Sequence, residues 1–181
     1  MYEKRFNGKI ERLRTPERVA RLEVERVVGL CLGDSALKSV LDVGVGSGLF
    51  AEAFYRRSLN VSGLDANPDM IPAAQQYVPE GDFRVGSAEA MPYADAAFDL
   101  VFFGLILHET DDQLKALQEA HRVARQRVCV LEWPYLDHET FGPPLAHRVS
   151  PAVITDLVKR AGYSGLEEKP LSYLNLYIME V

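Results

Sequence analysis

The sequence predicts an α/β fold in which helices cover both faces of a doubly wound, mostly parallel β-sheet. Short runs rich in Val, Leu and Phe alternate along the chain with amphipathic segments of helical periodicity. Because these runs are apolar throughout rather than at every second residue, they are typical of parallel strands covered on both faces. A turn with three glycines follows the first run, and such a turn marks the ligand-binding edge of an open α/β sheet.

The predicted elements can be placed in order along the chain. Five runs are predicted strands: Ser39–Val43, Val61–Asp65, Asp82–Gly86, Asp99–Gly104 and Arg127–Trp133. Three helices are predicted to begin with a capping side chain and a proline, at Thr15-Pro16, Asn67-Pro68 and Ser150-Pro151. A fourth begins at the capping-box spacing of Thr110–Gln113, and Gly162 is the predicted end of the last helix. The chain 1–181 is expected to form one domain, with 1–32 as a helical segment and lid and 134–149 as a substrate-side loop.

Length and composition restrict the class of protein. The chain has 181 residues, of which 48% are hydrophobic and 25% charged, the balance of an ordinary globular domain. Its net charge of −6 argues against a protein that coats phosphate backbones, so a nucleic-acid partner is not expected. No apolar run reaches the ~18 residues of a membrane span, and the first residues lack the apolar region of a signal peptide, so a cytoplasmic protein is expected. Cys31 and Cys129 lie in apolar stretches and are expected to be buried free thiols.

The charge is unevenly distributed along the chain. Residues 1–26 contain eight basic and five acidic side chains, whereas the rest of the chain carries a net charge of −9. A basic segment of this kind can attract an anionic substrate. The alternative, a solvated helix of mixed charge, is the commoner use of such a segment.

The strongest local signal is the run Val40-Leu41-Asp42-Val43-Gly44-Val45-Gly46-Ser47-Gly48. Glycines at a strand-to-helix turn let the backbone bend tightly and approach a ligand. A dinucleotide fingerprint needs glycine or alanine where Leu49 stands, and the chain has no Walker-type Gly-Lys-Ser/Thr run. Asp42 adds negative charge beside the turn, which suits a cationic ammonium better than a pyrophosphate. The pattern therefore predicts a site for a nucleoside that carries an amino acid.

The second predicted strand ends at Asp65, where a carboxylate can accept hydrogen bonds from both hydroxyls of a ribose. Met70, in the helix that follows, can pack against a flat ring. The alternative is that Asp65 only precedes a turn. Its place after the glycine pattern favours ribose binding.

These motifs resemble those of class I S-adenosylmethionine-dependent methyltransferases of the type 11 branch, which includes ubiquinone/menaquinone C-methyltransferase-like proteins. The resemblance rests on Val40–Phe50, Gly63–Met70, Gly86–Tyr93 and Phe98–Val101. It covers residues 15–133 and implies a Rossmann-like, mostly parallel sheet of seven strands in the order 3-2-1-4-5-7-6, with the last strand antiparallel. Gly162–Lys169 and Ser172–Val181 would supply strands six and seven.

The resemblance also implies a cofactor, S-adenosyl-L-methionine, and a set of residues that bind it. By their positions in the motifs these are Asp42, Gly44, Val45, Gly46, Gly48, Asp65, Ala66, Met70, Ser87, Ala88, Glu89 and Phe103. Asp42 and the glycines would hold the methionine part, and Asp65 the ribose. Ala88 and Glu89 would lie along the adenine. Similar proteins often have Asp where this chain has Ser87, so we expect a weaker acceptor for the adenine amino group.

Methyl transfer from a sulfonium is a direct displacement, in which alignment and removal of water can supply much of the acceleration. A general base is required only where the acceptor loses a proton. His108, after the fourth strand, and Glu132, at the end of the fifth, are the candidate catalytic residues. The alternative for His108 is a packing residue beneath the cofactor, with Asp111 and Asp112 serving the start of a helix. No metal site is expected.

The methyl acceptor is expected to be a small molecule. The fourth strand runs into residues 103–106, which lack the Asn/Asp-Pro-Pro-Tyr motif of methyltransferases that act on nucleic-acid bases. Apolar side chains dominate the predicted substrate side, namely Phe6, Trp133, Tyr135, Phe141 and Pro143. They suggest a lipophilic or aromatic acceptor. Two other functions stay open: a catalytically inert S-adenosylmethionine-binding protein that acts as a partner or sensor, and a nicotinamide-dependent dehydrogenase, which the glycine spacing disfavours.

Overall fold

The computed structural model describes residues 8–137 and 141–181. Its strands are β1 (Ser39–Val43), β2 (Asn60–Asp65), β3 (Asp82–Val85), β4 (Phe98–Gly104), β5 (Ala124–Glu132), β6 (Gly165–Pro170) and β7 (Asn175–Glu180). Its α-helices are α1 (Pro16–Leu22), α2 (Val24–Leu32), α3 (Leu49–Arg56), α4 (Met70–Gln75), α5 (Gln113–Val123) and α6 (Pro151–Ala161). Short 3-10 helices lie at Ile10–Arg14, Leu107–Glu109 and Leu145–His147.

Strand pairing confirms the fold class and the strand order that the resemblance implied. The seven strands form one sheet in the order β3-β2-β1-β4-β5-β7-β6. β1 pairs in parallel with β2 and β4, and parallel pairing continues to β3 on one side and β5 on the other. β7 is antiparallel to both β5 and β6. β2 and β4 pair with opposite edges of β1, so the strand order reverses at β1. At such a point a crevice opens at the carboxyl ends of the strands.

The helix termini follow the predicted signals in part. The hydroxyl of Ser150 caps α6 by accepting a backbone N–H at 3.3 Å, and Gly162 ends that helix with a φ of +95°. The start of α5 differs from the prediction. The carboxylate of Asp112 caps this helix, because the hydroxyl of Thr110 is bonded to a carbonyl of the preceding 3-10 helix at 2.7 Å. The helix after the second strand begins at Met70, beyond its predicted proline.

The sheet has a hydrophobic core on each face. Phe102 and Phe103 are neighbours in β4 and fully buried, but they belong to different clusters because successive side chains of a strand point to opposite faces. The cluster that contains Phe102 packs against α2, α3 and α4, and the cluster that contains Phe103 packs against α5 and α6. Burial on both faces explains why the strands are apolar throughout.

Two expectations from composition can be compared with the structure. Cys31 and Cys129 are buried free thiols, as predicted. In the part of the chain that the structure describes, no helix is both long and apolar enough to cross a lipid bilayer.

Candidate active site

A large cavity opens at the carboxyl ends of β1, β2 and β4. Its volume is about 930 Å³, near the upper end of the roughly 300–1,000 Å³ that small-molecule sites occupy. The residues that follow these strands line one side of it, and the N-terminal segment and the loop after β5 line the other. The cavity is therefore large enough for a nucleoside cofactor together with a second small molecule.

The glycine-rich turn after β1 has a backbone conformation that other residues adopt only with strain. Gly44, Gly46 and Gly48 have φ values of +71°, +51° and +73°, all in the left-handed region. A Cβ on Gly44 would lie 2.3 Å from Cγ2 of Ile106, and one on Gly48 would lie 2.8 Å from Cα of Ala74. Gly44 therefore lets the turn pass close to the cavity wall. Gly48 lets α3 approach α4 and is not part of the wall.

Asp42 lies in β1 just before the turn, and it is only 2% exposed at the wall of the cavity. The pKa of its carboxyl group is raised from 3.8 to about 8, mainly by burial. A hydrogen bond from the backbone N–H of Ala51 lowers the pKa, and the charge of Asp65 raises it further. In such surroundings the ionised carboxylate is disfavoured unless a cation pairs with it. The position is therefore suited to an ammonium group.

Asp65 ends β2 and lines the same cavity. Its Oδ2 accepts the N–H of Gly46 at 2.8 Å, and its Oδ1 accepts the N–H of Asn67 at 2.9 Å. Burial raises the pKa of Asp65, and these two hydrogen bonds oppose the rise. Each carboxylate oxygen has a second lone pair, so Asp65 can accept two further hydrogen bonds from neighbouring hydroxyl groups.

The segments after β2 and β3 form the wall beside Asp65. This part of the wall consists of Ala66, Met70, Ser87, Ala88 and Glu89, with Asn67 and Gly86. The hydroxyl of Ser87 donates to the carboxylate of Glu89 and accepts the N–H of Glu89 at 3.1 Å. The same carboxylate accepts the N–H of Asp111 at 2.9 Å. Ser87 and Glu89 therefore hold this turn against the segment that precedes α5.

His108 and Glu132, which the sequence suggested as separate candidates, form a buried pair. Nδ1 of His108 lies 3.0 and 2.9 Å from the two carboxylate oxygens of Glu132. The carboxylate also accepts the backbone N–H groups of His108 at 3.1 Å and Trp133 at 3.2 Å. An ionised carboxylate only accepts, so a neutral ring that donates from Nδ1 to Glu132 would have its lone pair on Nε2. His108 lines the cavity, and Glu132 lies behind it with 1% exposure.

The N-terminal segment covers the glycine-rich turn. Nε of Arg14 donates to the carbonyl of Ser47 at 3.1 Å, and Nη1 forms an ion pair with Glu52 at 2.7 Å. Leu13 packs over Gly46, where a Cβ would lie 3.3 Å from Cδ1 of Leu13. These contacts attach the segment to the first turn of α3 and to the strand-to-helix turn before it.

α1 and the loop after β5 line the remaining side of the cavity. The residues involved are Arg18, Arg21, Leu22, Trp133, Gly142 and Pro143. Gly142 packs directly on the indole, because a Cβ there would lie 2.5 Å from Cδ2 of Trp133. Tyr135 and Phe141, which the sequence placed on the substrate side, are 46% and 39% exposed and do not line the cavity. Phe6 and the ranges 1–7 and 138–140 of the predicted covering segments lie outside the described residues.

Comparison with known proteins identifies the family to which this arrangement belongs. A family model described as a methyltransferase domain, of type 11, matches residues 41–130, which contain the glycine-rich turn, Asp65 and His108. The chain belongs to this methyltransferase family. Its S-adenosylmethionine cofactor, predicted from the motifs, is confirmed by the membership.

Individual methyltransferases are similar to this chain over part or all of its length. Demethylmenaquinone methyltransferase of Renibacterium salmoninarum is 34% identical over 120 residues, which are 65% of this chain and 49% of the relative. Malonyl-[acyl-carrier protein] O-methyltransferase of Serratia marcescens is 33% identical over 107 residues, 59% of this chain and 42% of the relative. The chain thus spans about half the length of these relatives. The crystal structure of a SAM dependent methyltransferase from Aquifex aeolicus has the same fold, with a TM-score of 0.82, 22% identity and coverage of 98% of this chain and 100% of the other.

Most residues that the sequence assigned to the cofactor line the cavity of this methyltransferase domain. They are Asp42, Gly44, Val45, Gly46, Asp65, Ala66, Met70, Ser87, Ala88 and Glu89. Phe103 is an exception: it is fully buried in the core beside α5 and α6, and Gly104, Leu105 and Ile106 form the wall instead. Phe103 packs in the cluster under α5 and α6, and on β4 the cavity wall begins one residue later, at Gly104. Arg18 and Arg21 belong to no motif that marked them as cavity residues. The basic charge of residues 1–26 was the only signal in the sequence that pointed to them.

Proposed function

We propose that this chain transfers a methyl group from S-adenosylmethionine to a small-molecule acceptor by direct displacement. The observation that carries the proposal is the buried His108–Glu132 pair, which faces the same cavity as Asp42 and Asp65. Membership of the methyltransferase family supports the reaction class. In this proposal the chain acts as one catalytic domain of a cytoplasmic protein, and residues 1–32 and 134–149 cover the acceptor.

The side chains around the cavity fit the cofactor. Asp42 would pair with its ammonium group, because a cation stabilises a carboxylate that burial otherwise keeps protonated. Asp65 would accept the two ribose hydroxyls, and Met70 would pack on the adenine ring. When bound, S-adenosylmethionine supplies a methyl group on a sulfonium sulfur, which keeps the electron pair of the broken carbon–sulfur bond.

His108 is the proposed general base. With Nδ1 donating to Glu132, Nε2 can take a proton from the acceptor as its nucleophilic atom forms the bond to the methyl carbon. The Glu132 carboxylate would stabilise the resulting imidazolium cation and hold the orientation of the ring. The cover formed by residues 10–22 would exclude water and align the two reactants.

The acceptor side favours an apolar or aromatic small molecule. Leu22 and Trp133 lie on the wall of the same cavity as His108. By their names, the relatives act on demethylmenaquinone and on malonyl-[acyl-carrier protein]. These acceptors differ in chemistry, so the family relationship alone does not select one. The net charge of −6 disfavours a nucleic acid.

The experiment that tests this function begins with the cofactor. Calorimetric titration should show binding of S-adenosylmethionine and S-adenosylhomocysteine and no binding of NAD. Formation of S-adenosylhomocysteine is then measured with a panel of phenols, quinols, amines and carboxylic acids. His108→Asn should lower kcat by about 10²–10⁴-fold with little change in the Kd for S-adenosylhomocysteine. His121→Asn is the matched control, because His121 packs on Tyr163 and does not line the cavity.

The outcomes of this experiment separate the remaining hypotheses. Turnover that depends on His108 would support the proposed reaction. Binding of the adenosyl ligands without turnover of any acceptor would instead favour a catalytically inert binding protein that acts as a partner or sensor. If His108→Asn weakens cofactor binding as strongly as it lowers turnover, His108 is a packing residue beneath the cofactor and not the base.

A further inference from the structure

α1 places two arginines on the acceptor side of the cavity. Arg18 and Arg21 are three residues apart in this helix, so they lie on the same face, and both line the cavity. Nε of Arg18 is buried and has no hydrogen-bond partner among the described residues. The guanidinium of Arg21 lies 3.4 Å from the ring centroid of Phe141, a cation–π contact that satisfies none of its five N–H donors.

Two other shielded arginines among the described residues are bonded to acceptors. Arg148 donates to backbone carbonyls at 2.8 and 2.9 Å, and Arg122 forms an ion pair with a carboxylate at 2.8 Å. Burial lowers the pKa of Arg18, the neighbouring charge of Arg21 lowers it further, and Glu109 offsets part of this effect. A buried N–H donor without a hydrogen bond destabilises the free protein, and an anion that enters the cavity and accepts from Nε of Arg18 would remove this penalty.

The surroundings of the arginines distinguish the acceptor side from the cofactor side. Arg14, which ends the 3-10 helix before α1, bonds to the carbonyl of Ser47 in the glycine-rich turn. The acidic group that acts on Arg18 is Glu109, and Oε1 of Glu109 lies 3.9 Å from Nε2 of His108. Arg18, Glu109 and the proposed base line the same cavity, so an anion bound by Arg18 can belong to the molecule that reaches His108.

We propose that Arg18 and Arg21 bind a carboxylate group of the methyl acceptor. The acceptor is then an apolar or aromatic carboxylic acid that is methylated at an atom near His108, an inference that rests on the proposed function. The planar guanidinium fork matches the two oxygens of a carboxylate in parallel hydrogen bonds. Glu109 offsets one of the two positive charges, which favours a single negative charge over a doubly charged phosphate. Trp133 provides the adjoining apolar surface for the body of the acid.

The test compares three matched probes on the full chain: hydroxybenzoates, the corresponding hydroxybenzamides and a hydroxyphenyl phosphate. Calorimetric titrations are made with and without bound S-adenosylhomocysteine. The benzoate should bind more tightly than the benzamide by about tenfold or more. Arg18→Gln should weaken benzoate binding by about tenfold or more, leave the Kd for S-adenosylhomocysteine unchanged, and not lower the Tm, since it removes an unpaired buried charge.

Two further variants complete the design. Arg18→Lys should lose part of the benzoate affinity, because it keeps the charge but not the planar fork. Arg160→Gln is the matched control and should change none of these properties, since Arg160 lies exposed on α6, where it pairs with Asp156.

Each contrary outcome has a distinct meaning. If Arg18→Gln weakens S-adenosylhomocysteine binding as much as benzoate binding, the guanidinium serves the carboxylate of the cofactor, and the proposal is overturned. Equal binding of benzoate and benzamide to the wild-type protein, or tighter binding of the phosphate, would overturn the carboxylate assignment. Failure of the wild-type protein to bind S-adenosylhomocysteine would contradict the proposed function, while the titrations without that ligand would still test the arginines.

Discussion

The pH dependence of folding stability should change when Asp42 is replaced by asparagine. Burial at the end of β1 raises the pKa of this carboxyl from 3.8, its ordinary value, to about 8. Between these two values the folded protein holds a proton that the unfolded chain has released. The free energy of unfolding therefore falls as the pH rises through this interval, and the contribution of Asp42 levels off above about pH 8.

The magnitude follows from one proton per molecule. Such a difference changes the free energy of unfolding by about 1.4 kcal/mol per pH unit. Between about pH 6 and pH 8 the wild-type protein should lose about 2 kcal/mol through Asp42, because the slope falls off as the folded carboxyl itself ionises near pH 8. Asparagine does not titrate, so the stability of Asp42→Asn relative to the wild type should rise by the same amount. Asp65 and the other titrating groups are present in both proteins and largely cancel in the difference.

Urea unfolding of both ligand-free proteins at about pH 6, 7, 8 and 9, at constant ionic strength, measures this difference. Asp156→Asn is the control, because Asp156 is an exposed residue on α6 and should show no comparable trend. A difference between Asp42→Asn and the wild type that stays constant from pH 6 to pH 8 would refute the reasoning. It would mean that Asp42 is already ionised in the folded protein over this range.

Two further substitutions test the cavity wall and the glycine-rich turn. Asp65→Ala should weaken S-adenosylhomocysteine binding by about tenfold or more, because hydrogen bonds to a charged group are lost; an unchanged Kd in a folded variant would contradict the ribose assignment. Gly44→Ala should lower the free energy of unfolding by about 2 kcal/mol or more, since the new Cβ would lie 2.3 Å from Ile106 at a φ of +71°. In the same urea assay Gly29→Ala, in α2 with nothing within 4 Å, should instead stabilise by about 0.5–1 kcal/mol. Equal stability of the two alanine variants would argue against a close contact at Gly44.

Local patterns predicted the elements because burial of a strand and capping of a helix depend on residues close in sequence. β1 has the predicted bounds, β2, β3 and β4 each differ from their predictions by one residue at one end, and β5 begins three residues earlier and ends one residue earlier than predicted. The predicted start of α5 was wrong because Thr110 and Asp112 both have side chains that can cap a helix. The hydroxyl of Thr110 donates to a carbonyl of the 3-10 helix Leu107–Glu109, so the side chain of Asp112 caps α5 instead. The strand order came from the resemblance, since pairing joins segments that no local pattern connects.

The candidate catalytic pair required the tertiary structure. His108 and Glu132 are 24 residues apart in sequence and meet because β4 and β5 are parallel neighbours. The sequence suggested both residues but did not indicate that one orients the other. Phe103, which the sequence assigned to the cofactor, is fully buried and does not line the cavity, whereas the next residues, Gly104, Leu105 and Ile106, do. The exact residue at which a strand stops being core and becomes cavity wall depends on how the segments after the strands pack, which the sequence pattern of the strand does not contain.

By itself, the sequence determined the fold class and the cofactor side of the cavity. Asp42, the glycines and Asp65 lie at the ends of consecutive strands, so their spacing along the chain already brings them to one edge. The tertiary structure decided which charges of α1 line the cavity. The charge pattern of residues 1–26 favoured a solvated helix of mixed charge, yet Arg18 and Arg21 line the same cavity as Glu109. The physical reason is that desolvation and pairing of a charge depend on distances between groups from separate segments, which a one-dimensional pattern does not contain.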